Sequence, residues 1–279
     1  MILNDHKYIL KKYVCNYNFF IYLFIYFVSF FKLIGQKKSR KCSHIPFKNH
    51  PQKRFRIPCN AELLKVISNF HGNSKTFYPK KVYSYRGIQK TLQDLILRDE
   101  YLDLLYSEVS ERTDSIFSDI YDGLIYKEFK FHDGSRYFSN KRNIGLILNF
   151  DFFNPFKNSK YSLGVLYAVV INLPRKVRFL WKNILILAII PGPEEPKKTI
   201  NSFMKPLVKE LLHCWHGGIK LVETDGLKAL YHVALVCVSC DLPALRKIGG
   251  FLSHNARKGM SKKSAEVSLI QNTLIILGI

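Results

Sequence analysis

Four apolar runs in the second half of the chain read as strands: residues 143–151 (NIGLILNFD), 161–171 (YSLGVLYAVVI), 183–190 (NILILAII) and 232–240 (HVALVCVSC). Each is short, nearly continuously apolar and bounded by turn residues, the pattern of a strand buried on both faces. Between the third and fourth, Phe203, Leu207, Val208, Leu211 and Leu212 recur at helical spacing within residues 199–215, with Thr199 or Asn201 near the cap. Pro191-Gly192-Pro193 closes the third run. The first run ends in Asp151, and Asp241 follows the fourth.

Three consecutive strands, a helix and a further strand is the order of an RNase H-like fold. The expectation is therefore α/β, with a mixed sheet and flanking helices. In that order Asp151 stands on the first strand and Asp241 after the fourth, where two carboxylates at neighbouring strand ends can share divalent ions, Mg(II) above all. Such ions activate an attacking oxygen and stabilise a leaving one in phosphodiester displacement. The plainer reading is that each Asp caps the turn that follows its strand.

Upstream, residues 66–137 read as a mostly helical connector: Ile88, Leu92, Leu95 and Ile96 recur at helix spacing, as do Tyr101, Leu102, Leu104 and Leu105. Asp119-Ile120-Tyr121-Asp122-Gly123 ends it with a turn signal. Residues 1–65 hold Cys15, Cys42, His44, His50 and Cys59 among basic linkers. Thiolates and imidazoles bind Zn(II) tetrahedrally and can fold a small module with little core. A ribbon opens with a C-x-x-C knuckle, however, and Asn18 stands where the partner of Cys15 belongs. Scattered thiols with no metal are the competing reading. Residues 13–31 carry no charge, and Lys11, Lys12 and Lys32 flank them. About 20 such residues span a bilayer as a helix, but the Phe, Tyr, Ile and Val content equally suits buried strands.

The 279 residues carry 43 Lys+Arg against 21 Asp+Glu, a net charge of +22, which favours a polyanionic partner, nucleic acid or an anionic membrane face. From residue 1 to 59 the only acid is Asp5, so the N-terminal part is a basic arm suited to phosphates. Six cysteines in a chain of this length, with no secretory pattern, point to a reducing compartment. Cys237 reads as a core thiol within its apolar run, and His213, Cys214 and His216 as a helix end before Gly217-Gly218.

Residues 118–263 resemble the catalytic domain of CACTA-type (En/Spm-like) transposases, especially copies expanded in fungal genomes. The resemblance lies in residues 118–123 (SDIYDG), residues 143–156 (NIGLILNFDFFNPF), Asn172-Leu173-Pro174-Arg175 with Arg178-Phe179 and Lys182-Asn183, Pro191-Gly192-Pro193, and Cys240-Asp241-Leu242-Pro243-Ala244 with Arg246-Lys247. It implies an RNase H-like core at residues 138–263 that cuts and joins DNA with a metal-bound acidic triad using Mg or Mn. Asp151 would be the first acid and Asp241 the second. The third is expected well past Asp241, where Glu266 is the only acid and sits in an apolar tail, residues 264–279, unlike the family. Met260 and Lys263 stand where the family's Cys/His knuckle expects cysteines. The resemblance thus implies a copy truncated at its C-terminus and catalytically inactive, partnered by transposon-end DNA in the nucleus. An active metal-dependent nuclease, with Glu210 or Glu223 as third acid, is one alternative. A single-pass membrane protein anchored by residues 13–31 is another. The same family often carries a zinc-ribbon-like module in front, and Cys15, Cys42, His50 and Cys59 would be its degenerate remnant, with residues 13–31 in place of its hairpin.

Overall fold

The protein is described from a computed structural model covering residues 32–34, 40–42, 45, 51–68, 75–80, 82–107, 118–131, 133–156, 160–196 and 200–249. The chain divides into two compact units, one of residues 31–85 and one of residues 86–279 together with 1–30.

In the smaller unit, β1 (Lys32–Ile34) pairs antiparallel with β4 (Tyr83–Tyr85), and β2 (Leu64–Ser68) pairs antiparallel with β3 (Lys75–Pro79). A bridge between Lys41 and Glu62 and the Arg40 guanidinium, 4.2 Å above the Phe77 ring, tie the preceding loop to that hairpin. Residues 64–85 were expected to be helical from Val66 onward and instead hold three strands. Residues 64–68 and 75–79 pair in register from Leu64 opposite Pro79 to Ser68 opposite Lys75, and no 3.6-residue apolar stripe is buried there, since Leu64 is buried while Val66 and Tyr78 are exposed.

In the larger unit, the described residues open with α1 (Ile88–Ile96), whose Ile88, Leu92, Leu95 and Ile96 are buried as their spacing requires, and continue in α2 (Tyr101–Tyr106). A 3-10 turn at Ile120–Asp122 leads into the short α3 (Leu124–Glu128). The sheet of this unit comprises β5 (Asn143–Phe153), β6 (Leu163–Val170), β7 (Ile184–Ile190), β8 (Ile219–Val222) and β9 (Lys228–Val238), with α4 (Arg175–Arg178) between β6 and β7 and α5 (Ile200–His216) between β7 and β8. Its order is β7-β6-β5-β9-β8. β6 runs antiparallel to β5 and β7, β9 runs parallel to β5, and β8 runs antiparallel to β9. The parallel pair needs a crossover, and α5 is part of it, burying Met204, Leu207, Val208, Leu211, Cys214 and Trp215. α6 (Leu242–Gly249) follows β9.

Both faces of the first strand are covered. Residues 143–148 of β5 are all buried, and exposure begins only at Asp151. Ile147 packs with Ile171 and Val236 beneath Ile120, Tyr126 and Phe138. Gly145 is required at this contact, since a Cβ there would stand 2.6 Å from Ile171 Cδ1 and 2.9 Å from Phe138 Cζ. β8 was absent from the sequence reading. On that strand the Val222 backbone is met by a side chain: Gln93 Nε2 donates to Val222 O at 2.8 Å, and Val222 N–H donates to Gln93 Oε1 at 2.9 Å. The amide thus imitates a neighbouring strand, one way of blunting an open edge.

Candidate acidic site at the strand ends

Asp151 lies near the end of β5, opposite Val165 of β6, and its residue is exposed. On the other side of β5, the parallel register with β9 runs to Leu148 opposite Val238. The two chains stay together beyond that pair. Ser239 N–H donates to Leu148 O at 2.8 Å, and the Phe150 backbone lies close enough to the Cys240 thiol to hold its pKa down in part. One residue further along each chain stand Asp151, within β5, and Asp241, three residues beyond β9. Burial pushes the Cys240 thiol up to about 12, with the charges of Asp241 and Asp151 adding to the effect, so both acids act on one thiol.

Asp241 has a second task. Its Oδ1 accepts from Ala244 N–H at 2.8 Å, the bond that an N-cap residue makes to the first turn of the helix it precedes. The capping expected from the plainer reading therefore exists at Asp241, and it coexists with the approach to Asp151. Asp151 and Asp241 are both exposed residues.

The other sequence-predicted residues are distributed as follows. Cys42 N–H donates to Ala61 O at 2.9 Å and Asn60 N–H donates to Cys42 O at 3.0 Å, so the backbone beside Cys59 is held against Cys42. Cys15 and His50 lie outside the described residues, as do residues 13–31, Met260, Lys263 and Glu266. Among the described residues no group of three or more His, Cys, Asp or Glu is arranged to hold a metal ion. Cys214 is buried in α5, while His213 and His216 are exposed beside the helix end, where Gly217 N–H caps His213 O. Cys237, read as a core thiol, is exposed instead: the register slips by one residue between Leu146 and Ile147, and Val236 takes the core position. No helix among the described residues is long and apolar enough to cross a membrane.

Glu210 and Glu223 are committed elsewhere. Glu210 Oε1 accepts from Gln89 N–H at 2.9 Å, at the first turn of α1. Glu223, buried, accepts from Arg142 Nε at 2.9 Å, from Arg142 Nη2 at 3.2 Å, from Tyr231 Oη at 2.7 Å and from Tyr106 Oη at 3.1 Å. The Arg142 bonds lead the causes that hold its carboxyl down at about 2.

Sequence reasoning also missed a clasp. Asp119 takes both guanidinium nitrogens of Arg178, Nη1 to Oδ1 at 2.6 Å and Nη2 to Oδ2 at 2.8 Å. Arg178 Nε donates to Leu173 O at 2.9 Å, and its guanidinium lies 5.1 Å from the Tyr121 ring centre. Asn172 bridges to β5, its Oδ1 accepting from Gly145 N–H at 2.8 Å and its Nδ2 donating to Asn143 O at 2.9 Å. The residues quoted from 118–123 and 172–183 thus hold the fold together. β6 ends, and this loop begins, at the end of the sheet away from Asp151, because β5 and β6 are antiparallel.

The fold defines an α/β protein with a mixed sheet flanked by helices. Residues 114–274, more than half of the chain, match the transposase family tnp2, and the chain belongs to that family. No curated protein matches the sequence.

Proposed function

We propose that this chain is a DNA-binding member of the CACTA-type transposases, with an RNase H-like core in which Asp151 and Asp241 hold a divalent cation, and that it grips DNA without cutting it. What supports this reading is that Asp151 and Asp241 follow the paired ends of β5 and β9, and that the charges of both reach the Cys240 thiol. The supporting topology is the order β7-β6-β5-β9, with β9 parallel to β5 after a helical crossover. Two carboxylates suit Mg(II) or Mn(II), which bind hard oxygens and keep several waters when the protein supplies one or two ligands. Such an ion, when bound, would bridge the carboxylates to phosphate oxygens of the gripped DNA and offset their charge. The chain's own contribution is to bind and orient: Asp151 from β5, Asp241 from the cap of α6. The net charge of +22 supplies attraction to phosphates. By resemblance, the protein acts in the nucleus, at transposon ends.

Cutting needs a third acid, and the two nearest candidates are engaged. Glu223 is bound to Arg142, just before β5 begins, and Asp151 lies roughly 30 Å along that strand at about 3.3 Å per residue. Glu210 is occupied at α1. Gel-shift and plasmid assays test the proposal. DNA should be retained at low salt and released as salt rises, and supercoiled plasmid should stay intact with Mg(II) or Mn(II). Vigorous metal-dependent nicking that Asp151→Ala abolishes would overturn the non-cutting part, and failure to retain DNA at any salt would overturn the binding part.

A further inference from the structure

Tyr167 lies on β6 directly opposite Asn149 of β5, two residues from the Asp151–Val165 pair. Residues two apart on a strand share a face, so Tyr167 and Asp151 look to the same side of the sheet. Tyr167 is 2% exposed, and its hydroxyl is buried with no hydrogen-bond partner among the described residues. Buried polar atoms are nearly always paired, and an orphan requires a reason. A phenylalanine would fill the same space without burying an oxygen. Burial, then the charge of Asp151, then Cys240, push the phenol well above its ordinary range, which puts it within electrostatic reach of the acid site and keeps its proton in place.

We infer that the Tyr167 hydroxyl is a positioning group of the acid site, its O–H donating to the Asp151 carboxylate when Asp151 and Asp241 hold a divalent cation. The inference rests on the two-acid ion site proposed above. Carboxylates that ligate a metal are commonly hydrogen-bonded in turn, and a phenol that keeps its proton can donate. Groups at this remove from a metal orient its ligands, and their loss typically weakens binding by 10- to 100-fold.

The test is titration of the full chain with Mn(II) by calorimetry, alongside thermal melting of the metal-free protein, for wild type, Tyr167→Phe and Asp151→Asn. Tyr167→Phe should bind Mn(II) about 10-fold more weakly, while its metal-free melting temperature is unchanged or higher, since an unpaired oxygen has been removed. Asp151→Asn should abolish binding. Equal Mn(II) affinity for wild type and Tyr167→Phe, with binding still lost in Asp151→Asn, would sink the role of Tyr167 and leave the acid pair standing. A lower metal-free melting temperature for Tyr167→Phe would show that the hydroxyl has a structural partner, and would also sink it. Absence of Mn(II) binding by the wild type would remove the acid-pair site and this inference together.

Discussion

Replacing Asp119 with alanine leaves the Arg178 guanidinium in place without the carboxylate that takes two of its nitrogens. Arg178 is 2% exposed, so water cannot substitute. Removing one partner of a buried ion pair typically costs 3–5 kcal/mol, mostly from the charge left unpaired. The Leu173 carbonyl and the Tyr121 ring remain as partners, which places the expected loss near the low end, about 3 kcal/mol. For a unit of this size that corresponds to a fall in Tm of roughly 6–12 °C. Chemical denaturation of the full chain reads the change directly. Adding Arg178→Met to Asp119→Ala should recover part of the loss, because the unpaired charge is gone. A loss below about 1 kcal/mol in Asp119→Ala, or a double variant less stable than the single, would refute the argument that this clasp joins the turn at residues 119–122 to the loop before β7.

Acid should act through Glu223. Its carboxyl sits at about 2 in the folded protein against 4.5 unperturbed, so its contribution is complete above about pH 4.5 and is lost as pH falls toward 2. Since its partner Arg142 is half-exposed, the contribution is of order 2 kcal/mol; Glu223→Gln should flatten the stability profile over that window, and an unchanged profile would contradict it. Gln93→Ala should free the Val222 backbone, costing about 1–2 kcal/mol and speeding exchange of the Val222 amide, and unaltered protection there would show that the edge is held another way.

The strands that proved legible are those buried on both faces, because continuous apolar runs announce themselves whatever their neighbours. β5, β6, β7 and the helix α5 fall where the pattern placed them. β8 did not announce itself: four residues, Ile-Lys-Leu-Val, carry too little pattern, and their pairing with β9 is a tertiary fact. The strands in residues 64–85 were hidden by extending the helix period of α1 backward into a short amphipathic hairpin. Asp151 and Asp241 stand out in the sequence because each follows an apolar run. The Asp119–Arg178 pair could not, since its partners are 59 residues apart and nothing local links them. Tyr167 was invisible for the opposite reason, a tyrosine inside an apolar run counting as bulk until its unpaired oxygen is seen.

Crystals of the full chain soaked in Mn(II) test the central claim most directly, through anomalous scattering from the ion. A single strong peak touching a carboxylate oxygen of Asp151 and one of Asp241 is the predicted result. No peak there, or manganese held by only one of these side chains while the other points away, would contradict it.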